Sequence, residues 1–117
     1  MKAPIETLHL FPLLNSKLVS FLKGLSPGDW QKQTVAKKWV VKDVAAHLLD
    51  GNYRRIALHR DGWSAPPDIP IHSYEDLVAY LNTFNADWVK AAKRLSPGIL
   101  IELLESTNEI VYKEFSK

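Results

Sequence analysis

The chain has 117 residues and a mass of 13.3 kDa, the size of one domain or a piece of one. It contains no cysteine, which excludes disulfides, a thiolate nucleophile and cysteine-ligated zinc or iron–sulfur centres, and leaves His and carboxylates as the metal donors. Fifteen Lys and Arg against thirteen Asp and Glu leave a formal charge of +2, too small and too scattered for the basic stripe that nucleic-acid binding requires.

Apolar residues recur at three- and four-residue spacing and no segment alternates with period two. The pattern predicts an all-α fold, an up-and-down four-helix bundle spanning 1–117 as a single domain or the N-terminal part of one. The first helix is expected from about Thr7 to Lys23, with Leu8, Phe11, Leu14, Leu18, Phe21 and Leu22 as its apolar stripe. Pro12 requires either a start near Phe11 or a kink. Gly24, Ser26, Pro27 and Gly28 then stop it, and Asp29 to Lys38 reads as a polar connection anchored by Trp30 and Trp39.

The second helix is expected from Val41 to about Arg60, with Gly62 as its C-terminal stop. Val40 stands where a Ser, Thr or Asp cap is expected, which leaves Asp43 in the first turn to complement the positive helix end. Three prolines between Gly62 and His72 favour an extended loop. Ser73 as cap and Asp76 as its acidic partner open the third helix, which carries Leu77, Val78, Leu81, Trp88 and Leu95 at helical spacing. Ser96 and Pro97 open the fourth, which runs to the chain end without a stop signal. No window approaches the ~18 apolar residues of a membrane span, and the N-terminus lacks a secretory signal pattern, so a cytoplasmic location is expected.

Phosphate-binding glycine loops, nucleophile elbows and HExxH pairs are absent from the sequence. Histidines stand at 9, 47, 59 and 72. His47 and His59 are twelve residues apart, about 120° around a helix, and cannot share a metal from one straight helix. His59 falls near the centre of the apolar face and in the last helical turn, whereas His47 falls opposite, near Asp43, Asp50 and Arg54. On periodicity alone that face reads as a solvated polar stripe, with a His oriented by a carboxylate as the alternative. Lys37 with Lys38 and Arg54 with Arg55 read as solvated surface, the alternative for the arginines being a clamp on a carboxylate.

Asp29, Trp30, Thr34 and the run from Trp39 to Gly51, with its W-x-V-x-D-V-x-x-H-L pattern ending in His47 and Leu48, resemble the DinB-like superfamily. Within it, the chain is similar to the N-terminal metal-binding domain of mycothiol-dependent maleylpyruvate isomerase-like proteins. The resemblance implies a four-helix bundle in which three histidines hold a divalent metal, zinc or nickel. It assigns His47 as the first metal ligand and identifies no catalytic residue. The other two ligands of the family come from an H-x-x-x-H pair, which this sequence lacks. The resemblance therefore implies the first part of a longer protein, with one metal position and no complete site. It also implies metal-assisted attack by a low-molecular-weight thiol on a small electrophile, in a transferase or isomerase that this chain alone does not complete. The family usually has Ser or Thr where this chain has Val40. The competing expectation is a non-catalytic helical module whose apolar seam binds a partner helix or a second copy, as a homodimer.

Overall fold

The computed structural model describes residues 9–35 and 38–117. Thr7, Leu8 and Lys37, named above in the first helix and a basic pair, lie outside the described residues. The described chain is all-α: α1 (Phe11–Lys23), α2 (Pro27–Trp30), α3 (Val41–Asp61), α4 (Tyr74–Ala92) and α5 (Pro97–Phe115). An isolated antiparallel bridge pairs Gln33 with Val40.

The helix boundaries follow local chemistry. α1 begins at Phe11, with Pro12 inside its first turn, where a missing N–H removes no helical bond. Of the two readings of Pro12, the start near Phe11 is the one observed. α2 is an addition to the four expected helices: the Ser26 hydroxyl accepts from the Asp29 N–H at 3.1 Å while the Asp29 carboxylate accepts from the Ser26 N–H at 3.0 Å. This reciprocal cap lets a four-residue helix form where the sequence reads as a polar connection. Gly62 ends α3 at φ 64°, a left-handed conformation that favours glycine. Ser73 and Ser96 accept from the amides of Asp76 and Ile99, as expected of caps.

α3 is the central element. It packs on α5, on α4 and on the short α2, while α1 packs on α5. One apolar cluster joins Leu22 of α1, Trp30 of α2, Ala45, Ala46 and Leu49 of α3, Ala92 of α4 and Leu100 and Leu104 of α5. The small side chains at 45 and 46 leave room for close approach of the neighbouring helices. Trp88 of α4 fixes its level against α3 by donating its indole N–H to the Ala46 carbonyl at 2.7 Å. The outer helices remain partly uncovered, with Leu13, Leu14 and Phe21 exposed on α1 and Tyr74 on α4.

Candidate functional site

The site begins with how α3 starts. Val40 offers no side-chain oxygen, so the Asp43 carboxylate turns back and accepts from the Val40 N–H at 3.0 Å. Its other oxygen takes the Lys93 ammonium at 3.4 Å, and Lys42 donates to the Lys93 carbonyl at 2.9 Å. Asp43 therefore clasps the start of α3 to the end of α4, and both its oxygens are used.

The segment before α3 places an aromatic wall. The Trp39 carbonyl accepts from the Thr34 hydroxyl at 2.8 Å, the Thr34 N–H at 3.1 Å and the Gln33 amide at 2.9 Å. The Val41 N–H donates to the Lys32 carbonyl at 3.0 Å. Held this way, the Trp39 ring lies 4.9 Å, centroid to centroid, from the His47 imidazole, tilted by 45°. His47 is half-buried, and its Nδ1 is buried with no hydrogen-bond partner.

The solvated stripe expected on this face of α3 is corrected by the structure. Asp43 is 5% exposed and Asp50 8% exposed, because α4 lies along this side of α3. An Asp50 oxygen stands 3.5 Å from Arg54 and has no hydrogen-bond partner. The Arg54 guanidinium lies over the Phe84 ring at 5.6 Å, so it bridges the two helices while its side chain stays exposed.

The other histidines stand elsewhere. His59 was expected on the apolar face, but it is exposed in the last turn of α3, edge-on to Phe115 at 4.8 Å. His9 is exposed ahead of α1, and His72 precedes α4, with its backbone N–H on Asp76. Among the described residues, no three His, Cys, Asp or Glu side chains gather as a metal-holding group. Of these histidines, His47 combines an aromatic wall with a buried, unpartnered ring nitrogen.

The α3·α5 interface carries a feature that periodicity alone did not single out. Buried Asn52 donates to the Thr107 hydroxyl at 2.9 Å and to the Asn108 carbonyl oxygen at 2.8 Å. Thr107 in turn donates to the Leu103 carbonyl at 2.6 Å. The available signal was an Asn in phase with the apolar positions 45, 49 and 56, facing a Thr-Asn pair between Leu104 and Val111. These groups are neutral, and they set the register of α5 against α3.

A family model matches residues 12–115, described as the mycothiol maleylpyruvate isomerase N-terminal domain. No curated protein and no solved structure matches the chain. The match spans all five helices except Phe11 at the start of α1, and it includes the Trp39 wall and His47. The chain belongs to the mycothiol maleylpyruvate isomerase N-terminal domain family, within the DinB-like superfamily.

Proposed function

We propose that this chain is the N-terminal helical portion of a metal-dependent transferase or isomerase that uses a low-molecular-weight thiol. In this reading His47 is the ligand position it contributes, and the remaining donors lie outside the described residues. The observation that carries the reading is the His47 imidazole itself, set against Trp39 and keeping a buried nitrogen free of hydrogen bonds. Family membership supports the link to mycothiol and to isomerisation. The chain alone is expected to lack that activity, since one imidazole does not supply the three protein ligands of a catalytic zinc.

The test is a zinc titration followed by the histidine ring signals in NMR. Perturbation of His47 before His9, His59 and His72 supports the assignment. Uniform perturbation of all four rings contradicts it.

A second reading is favoured by the uncovered face of α1, where Phe21 is 64% exposed beside exposed Leu13 and Leu14. In it the chain is a scaffold that pairs with a second copy through α1. Sedimentation distinguishes this reading: a dimer converted to a monomer by Phe21→Glu supports it, and a monomer at all concentrations removes it.

A further inference from the structure

A groove between α3, α4 and the chain after Gly62 has a volume of about 590 Å³, within the range of small-molecule sites. His47 does not line it. Its α3 wall presents Arg54, Arg55 and His59, its α4 wall presents Tyr80 and Phe84, and exposed Trp63 stands at its rim. No Asp or Glu lines it. The groove thus combines aromatic side chains with two arginines.

The two arginines differ in what they have left to offer. Arg54 is committed: Asp50 lies 3.5 Å from it, and its guanidinium covers Phe84 at 5.6 Å. Arg55 has no ion pair among the described residues. Its guanidinium lies back along α3 above Gly51, where a Cβ would come within 3.0 Å of Nη1. Glycine at this helical position opens the space in which the guanidinium rests at the groove wall. On the α4 wall the Tyr80 and Phe84 rings stack on each other at 5.7 Å and 29°, and with Arg54 over Phe84 the aromatic side chains left to a ligand are Tyr80 and exposed Trp63.

A flat ring would pack against these two side chains, and a carboxylate on the same molecule would take two parallel hydrogen bonds from a guanidinium. We propose that this groove binds a small aromatic carboxylate, its ring against Tyr80 and Trp63 and its carboxylate on Arg55. A neutral aromatic compound would leave the guanidinium without its partner, and an aliphatic acid would leave the aromatic surface uncovered. The inference does not depend on His47 or on any metal.

The experiment titrates the protein with 1-naphthoate and, separately, with its neutral counterpart 1-naphthamide, reading backbone and Trp63 indole signals by NMR. Saturable shifts confined to the groove are expected for naphthoate, with about tenfold weaker binding of the amide. Arg55→Gln is expected to weaken naphthoate binding about tenfold and leave the amide unchanged. Gly51→Ala, which displaces the guanidinium without touching its charge, is expected to weaken naphthoate several-fold. His47→Ala is expected to bind as the wild type does. Equal affinity for the acid and the amide would reduce the groove to an apolar adsorption surface and overturn the proposal. So would unaltered binding in Arg55→Gln, shifts centred elsewhere, or loss of binding in His47→Ala.

Discussion

The Trp39 indole lies 4.9 Å from the imidazole of His47, and the three hydrogen bonds on the Trp39 carbonyl hold it there. Lys32, Gln33 and Thr34, through their bonds to Trp39 and Val41, are in this sense the positioning apparatus of His47. Trp39→Leu is expected to keep the helices and cost about 0.5–1.5 kcal/mol, the worth of an aromatic pair. It should also release the imidazole into several rotamers, read from His47 ring couplings and relaxation. A ring that stays fixed without the indole would contradict the role given to Trp39.

Asn52 is the polar pin of the α3·α5 interface, donating to Thr107 and Asn108 at 2.9 and 2.8 Å. Asn52→Ala strands buried acceptors on α5 and is expected to lower stability by about 1–3 kcal/mol. Urea unfolding monitored by circular dichroism checks this, and a loss below about 0.5 kcal/mol would show that the network carries little.

Gly51 sits in the interior of α3, where glycine costs about 1 kcal/mol relative to alanine. The atom nearest an added Cβ is the flexible end of Arg55, at 3.0 Å, and it can give way. Gly51→Ala is therefore expected to raise stability by about 0.5–1 kcal/mol in the same assay. A destabilised variant would show that Arg55 is held more firmly than its exposed side chain implies.

The cap of α2 is sensitive to acid. The Asp29 carboxyl is lowered from 3.8 to about 2, first by the hydrogen bond from Lys32 and then by the Ser26 N–H and hydroxyl. Because its folded value is depressed, the contribution of the ionised group is present above about pH 4 and is lost as pH falls towards 2. NMR of the Asp29 side chain should titrate near 2 in the wild type and rise towards the ordinary value in Lys32→Ala. An ordinary Asp29 value in the wild type would mean that the capping box is open in solution.

Much of the fold was legible in the sequence because it rests on local rules. Ser73, Ser96 and Gly62 sit at helix ends as their side chains and backbone preferences require, and Pro12 was one of two readings that the structure decides. The site was less legible. Periodicity assigned Asp43 and Asp50 to solvent because a helical wheel describes one helix, whereas their burial comes from α4 lying alongside. The resemblance singled out His47, yet Trp39 as its wall depends on the turn around Thr34, a through-space arrangement that spacing does not encode. α2 was missed although Ser26 and Asp29 already spell its cap.

Native mass spectrometry of the chain with added zinc tests the central claim most directly, since one spectrum gives both subunit count and bound metal. With His47 as a lone ligand position, the monomer is expected to retain no zinc at micromolar concentrations. Any metal retained by a larger assembly should be lost in His47→Ala. A monomer that holds one zinc tightly, and still holds it after His47→Ala, would contradict the account.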